Sequence, residues 1–184
     1  MIINKLTLEE IHAKIKKNKK YRALMESFQD SELYRIPLEK YKSEILTLHQ
    51  AREVRTLYKF CQDESLSMID GIIRCNLQDQ SYRSRMAEIH IQCVRARSAL
   101  SDSVKLFKDY AIIRYDSYLS KIRTKGERST FIDVILQDMQ QYIDDCDMVI
   151  ELAAIAIKDI DNAGWALSRT VDALKLTQSP ERKI

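Results

Sequence analysis

The charged residues of this sequence are unevenly distributed, with a basic segment followed by an acidic one. Residues 83–128 hold eleven basic residues against five acidic ones, whereas residues 129–176 hold three against nine. A basic block followed by an acidic block indicates an anionic partner for one surface and complementary charge for packing between subunits. An intramolecular match between two neighbouring antiparallel helices explains the same pattern, and the sequence leaves both interpretations open.

A second basic cluster lies near the N-terminus. Its members are Lys14, Lys16, Lys17, Lys19, Lys20 and Arg22. Lysines so close in sequence surround a helix rather than forming one stripe. This suits a phosphate-binding arm, because phosphate contacts need charge and reach more than fixed geometry. A solvated terminal helix is the alternative interpretation.

Patterns for catalysis or metal binding are not found. The sequence contains no H-E-x-x-H spacing, no glycine-rich phosphate loop and no G-x-S-x-G element. Asp144, Asp145 and Asp147 resemble a metal cluster, but on a helix these spacings point in different directions. The four cysteines form no C-x-x-C pair, so we expect small buried apolar residues there. We therefore predict no enzyme, no cofactor and no metal site.

The elements that position these charges are helices. With three glycines and two prolines, the chain favours an all-helical protein with few, short connections. The apolar spacing of three and four residues predicts a long helix from about residue 84, with a buried stripe. The stripe consists of Met86, Ile89, Cys93, Ala96, Leu100, Val104, Phe107, Ala111, Tyr115, Tyr118 and Ile122.

A turn at Thr124–Ser129 leads to a second long amphipathic helix, which Thr130 is expected to cap. Its predicted stripe is Phe131, Val134, Ile135, Met139, Ile143, Cys146, Val149, Ile150, Ala153, Ile157 and Ile160. Two such helices joined by a tight turn predict an antiparallel hairpin over residues 84–160, with the basic helix against the acidic one.

We predict an all-α bundle of about five helices built on this hairpin. Residues 1–35 form an N-terminal basic helix or arm, and residues 36–184 form the helical core domain. Within the core, a connection is expected at Asn76–Ser81, and a break near Gly164 precedes a C-terminal helix over residues 164–176. No apolar run of 18 residues and no signal-peptide pattern is found, so we expect a cytoplasmic protein without a membrane span.

The segment from Ile157 to Arg169 resembles the end of the UvsY family of phage recombination mediators. It keeps the isoleucine, asparagine, aromatic and aliphatic positions of that family as Ile160, Asn162, Trp165 and Leu167, and it has Ala163 where an arginine is common. A basic helix with Arg114, Tyr115 and Tyr118, followed by an acidic helix, is also similar. The resemblance covers roughly residues 105–176.

The resemblance implies a non-catalytic homo-oligomer in a phage-infected cell that binds single-stranded DNA. Its implied partners are a recombinase, which it helps to load, and a single-strand-binding protein. The family's DNA contact pairs a lysine and an arginine two residues apart; Arg114 matches the arginine, whereas Ile112 takes the lysine's place. The predicted DNA-binding residues are Lys105, Lys108, Tyr110, Arg114, Lys121 and Arg123. Tyr110 is the preferred stacking residue because it lies off the apolar stripe.

A second hypothesis fits the same sequence. The apolar seam and the charge asymmetry also suit a helical structural or adaptor protein, such as a virion component or a partner-binding module, that assembles with itself and does not bind DNA.

Overall fold

A computed structural model describes residues 8–53, 68–120 and 124–178 of the chain. Seven α-helices and one short 3₁₀ turn account for nearly all of these residues, and none of them lies in a strand. The elements are α1 (Leu8–Lys16), α2 (Lys19–Asp30), the 3₁₀ turn (Glu32–Tyr34), α3 (Leu38–Glu53), α4 (Met68–Arg114), α5 (Asp116–Leu119), α6 (Lys125–Ile135) and α7 (Gln137–Gln178). The prediction of an all-α bundle is confirmed, although two of the seven helices are shorter than ten residues.

The chain divides into two compact units. The first unit comprises described residues within Met1–Pro37 and Gln92–Met148, and the second comprises those within Leu38–Ile91 and Val149–Ile184. In the first unit, α1 and α2 contribute Ile11, Ile15 and Tyr21 to the buried core beside residues of α4, α6 and α7. The lysine-rich N-terminal segment, predicted as a basic helix or arm, therefore contributes to the packed core of the first unit.

The helix α4 is longer than predicted. Its helical hydrogen bonding runs without interruption from Met68 to Arg114, so the connection expected at Asn76–Ser81 is wrong. Apart from Leu77 these residues are polar, and they include neither glycine nor proline. Polar residues that face solvent are compatible with a helix interior. In the same way, α7 continues through Gly164, because one glycine weakens a helix by about 1 kcal/mol without removing a backbone donor.

The turn before α6 is built differently from the prediction. Thr124, not Thr130, caps the helix: its hydroxyl accepts from the Glu127 amide at 3.1 Å, and the Glu127 carboxylate accepts from the Thr124 amide at 3.1 Å. A second interruption at Leu136 separates α6 from α7. Ile132 is buried, whereas Val134, a predicted stripe residue, is 60% exposed.

The apolar stripe of α4 is confirmed in its described part. All its positions from Met86 to Tyr115 are buried; Tyr118 is half-buried, and Ile122 lies outside the described residues. Cys93 and Cys146 are fully buried in the first unit, and burial raises the pKa of each thiol to about 11. Both cysteines serve as small apolar core residues, as expected from their spacing.

None of the helices in the described part of the chain combines the length and the apolar composition that a membrane crossing requires.

Candidate nucleic-acid interface

The predicted DNA-binding residues differ in their surroundings. Lys105 and Arg114 are exposed on α4. Lys108 forms an ion pair with Asp133 of α6, with its Nζ 2.7 Å from Oδ1. Tyr110 is half-buried and packs against the core of the first unit. The last two candidates, Lys121 and Arg123, lie outside the described residues.

The junction between α1 and α2 is held by one asparagine. Asn18 has an extended backbone (φ −65°, ψ 137°), and its Oδ1 accepts from the Lys20 amide at 2.8 Å, which caps α2. Its Nδ2 donates to the hydroxyl of Tyr115 at 2.8 Å and to that of Tyr110 at 3.3 Å. Asn18 therefore links the middle of the lysine cluster to the C-terminal end of α4 by hydrogen bonds.

Two lysines contact tyrosine rings at this end of the first unit. Lys14 Nζ donates to the Tyr118 hydroxyl at 2.8 Å and lies 4.1 Å from the centre of its ring. Lys20 Nζ lies 4.0 Å from the centre of the Tyr110 ring. An ammonium group over an aromatic face is attracted by the ring quadrupole, by about 0.5–1 kcal/mol at an exposed site.

The ionisation of Tyr118 responds to this arrangement. The hydrogen bond from Lys14 and the positive charges of Lys14 and Arg114 hold the pKa of its phenol below the usual value of 10.0. Arg114 precedes Tyr118 by four residues and is exposed. We call the segment Lys14–Arg22 with Tyr110, Arg114 and Tyr118 the lysine–tyrosine surface.

The lysine–tyrosine surface joins two groups of residues that the sequence keeps apart. The contacts of the lysine cluster with the tyrosines span 92 to 104 residues of chain. All six basic residues of the cluster are exposed, and no acidic residue lies between Lys14 and Arg22. In the sequence the two groups are recognisable separately, whereas Asn18 is marked only by its position as a possible capping residue between lysines.

The hydrophobic contacts beneath the surface hold its helices in place. Ile11 and Ile15 of α1 are buried, and the Tyr21 ring packs on Phe107 with centroids 5.6 Å apart. The Tyr21 hydroxyl donates to the Ile135 carbonyl at 3.4 Å. Because the apolar side of both helices is buried, their lysines are left to solvent.

Many other basic residues of α4 to α6 are occupied by carboxylates. The ion pairs between different helices of one unit include Arg83–Asp161, Arg85–Glu44, Arg97–Asp147, Lys108–Asp133 and Arg128–Asp116. Three of them join α4 to α6 or α7, which supports the intramolecular interpretation of the charge blocks. The lysine–tyrosine surface is therefore the better candidate for an external anion.

The acidic triplet of α7 is used in local contacts. Asp147 pairs with Arg97, and Gln140 and Gln141 donate to Asp144 and Asp145 at 3.1 and 3.5 Å. Among the described residues, no group of three or more histidine, cysteine, aspartate or glutamate side chains is arranged to hold a metal ion.

The bidentate pair between Arg85 and Glu44 leads to a pH prediction. The hydrogen bonds from Arg85, at 2.6 and 3.0 Å, hold the pKa of Glu44 below its usual 4.5. A carboxyl group with a lowered folded-state pKa stabilises the fold above its unfolded pKa, and this contribution is lost as the pH falls through the folded value. In the Arg85→Met variant the free energy of unfolding should therefore fall less on acidification than in wild type. The difference should be about 1 kcal/mol, a small value because the pair is partly exposed.

The measurement is urea unfolding between neutral pH and about pH 3, a range that brackets the usual carboxyl pKa values. Arg95→Met, which removes an exposed arginine from the same helix, is the matched control and should leave the slope unchanged. Equal slopes for wild type and Arg85→Met would show that Glu44 does not contribute.

The segment that resembles the UvsY family lies in α7 within the second unit. Ile160 is buried, whereas Trp165 is 71% exposed and borders an open groove that also includes Asn76, Gln80 and Ser168. Comparisons with protein-family models, with curated protein sequences and with solved structures find no match to this chain. The resemblance therefore stays a prediction that rests on the residues named for it.

Proposed function

We propose that this chain is a non-catalytic single-stranded DNA-binding protein of the recombination-mediator type. The observation that supports the proposal is the packing of the lysine cluster on Tyr110 and Tyr118. An exposed basic segment combined with aromatic rings is the usual composition of a surface that binds a single strand without sequence preference. Recombinase loading, a single-strand-binding protein as partner and homo-oligomer formation are proposed from the family resemblance alone.

The proposed mechanism is physical. Phosphates of the strand bind the ammonium and guanidinium groups of the lysine–tyrosine surface, and release of condensed counterions provides the driving force. Stacking of a base on an aromatic ring adds about 1–3 kcal/mol per base. Since both contributions are independent of base identity, the protein binds strands of different sequence, as a factor that acts along a whole strand must.

The first test is fluorescence anisotropy of labelled oligo-dT, with duplex DNA measured alongside. With four to six phosphates bound, the slope of log K against log salt is expected between about −3 and −4, so affinity falls about 100-fold between about 50 and about 200 mM salt. A protein that is folded by circular dichroism and does not bind oligo-dT at low salt would contradict the proposal. Binding would justify a recombinase-loading assay.

A structural or adaptor function is the second candidate. It is favoured by Leu106 and Ile113 of α4, which are 72% and 78% exposed and lie seven residues apart on one helix face. Large apolar side chains so exposed indicate contact with another protein. An adaptor would form a defined oligomer in sedimentation velocity and would not bind oligo-dT at any salt concentration, so the same titration distinguishes the two functions.

A further inference from the structure

The rings of Tyr110 and Tyr118 each contact an aromatic neighbour and an ammonium group. Tyr110 packs on Phe107 with centroids 6.2 Å apart, and Tyr118 packs on Tyr115 at 6.4 Å. Lys20 Nζ lies 4.0 Å from the centre of the Tyr110 ring, and Lys14 Nζ lies 4.1 Å from the centre of the Tyr118 ring, next to its hydroxyl. A nucleobase that stacks on the ring face contacted by a lysine must first displace that lysine.

The displacement requires little rearrangement of the protein. Lys14 and Lys20 are exposed, and their long side chains can turn away without moving the helices. Asn18 keeps its hydrogen bonds to Tyr110 and Tyr115 during such a movement, since those bonds involve neither lysine. A phosphate also attracts an ammonium group more strongly than a ring face does, because the phosphate carries a full charge.

We propose that Tyr110 and Tyr118 are base-stacking residues that select unpaired bases, and that Lys20 and Lys14 cover them until a nucleic acid binds. The proposal rests on the proposed function and specifies its substrate class. The phosphates of the strand bind the two ammonium groups, and unpaired bases then occupy the uncovered ring faces. A duplex or an abasic strand offers the same phosphates but no accessible base, so either one releases the lysines without gaining the stacking.

The experiment compares labelled oligo-dT with an abasic strand of the same length and with duplex DNA, by anisotropy at one low salt concentration. Wild-type protein should prefer oligo-dT to the abasic strand by at least about tenfold, since one base–aromatic stack contributes about 5- to 150-fold. Tyr110→Leu with Tyr118→Leu should reduce this preference to nearly one while leaving abasic-strand affinity unchanged. Tyr110→Phe with Tyr118→Phe should retain the preference, because the ring faces remain.

Tyr82→Leu is the matched control, since Tyr82 is another half-buried tyrosine of α4 and lies in the second unit. It should leave the preference unchanged. Equal binding of oligo-dT and the abasic strand to wild-type protein would overturn this inference and leave the proposed function in place. The same holds if the leucine double variant, folded by circular dichroism, keeps the preference. Failure of wild-type protein to bind any of the three ligands would overturn both.

Discussion

Replacing Ile15 with alanine is expected to lower the free energy of unfolding by about 3 kcal/mol, within the usual range for a buried isoleucine. Ile15 is 0% exposed and belongs to the core of the first unit. The substitution removes three buried carbon atoms and leaves a cavity that the surrounding side chains fill only in part. Urea unfolding followed by circular dichroism measures the change.

The effect extends to the lysine–tyrosine surface. The helix α1 has nine residues, too few to be stable in water without its packed face. When Ile15 is shortened, α1 is expected to detach more often and to carry Lys14 away from Tyr118. The phenol of Tyr118 would then lose the hydrogen bond that lowers its pKa, so its pKa should rise towards the usual value of 10.0 in an absorbance titration.

Leu8→Ala is the matched control for Ile15→Ala. Leu8 lies on the same helix but is 51% exposed, so its truncation should change stability by about 0.5 kcal/mol or less. Equal destabilisation by the two substitutions would contradict the burial of Ile15 and, with it, the docking of α1 on the core.

Replacing Lys16, Lys17 and Lys19 with glutamine should weaken oligo-dT binding about 100-fold at about 0.1 M salt, if each lysine contacts one phosphate. The slope of log K against log salt should become shallower by about 2. These three lysines are exposed, and none of them is among the residues that hold the two helices to the core. The folded state should therefore survive the substitution.

The control is a second triple variant, which removes three positive charges from the second unit. Lys40, Arg74 and Lys158 are exposed residues of the second unit, and replacing them with glutamine also lowers the net charge by three. Because exposed charges are screened over about 10 Å at 0.1 M salt, this variant should bind oligo-dT within about threefold of wild type. Equal losses in both triple variants would mean that total charge, rather than the lysine–tyrosine surface, drives binding.

The sequence by itself determined the helical class and the buried face of α4. The apolar spacing of three and four residues from Met86 to Tyr115 has one regular solution, a helix buried along one side, and each of those positions is buried. The local sequence pattern did not identify the residue that caps α6. Thr124 and Thr130 are both suitable caps, and only the hydrogen bonds with Glu127 select the first.

Only the tertiary structure decided which charges remain available. The sequence does not distinguish Lys108 from Lys14, since both are lysines of basic helices. In the folded protein Lys108 pairs with Asp133, whereas Lys14 contacts Tyr118. Partners of this kind are 25 to 104 residues away along the chain, and helical periodicity carries no information about such distances. Packing of Ile11 and Ile15 into the core brings the lysine cluster to the tyrosines, and Asn18 holds it there. For that reason a candidate site that the sequence shows as two separate clusters forms one surface in the folded protein.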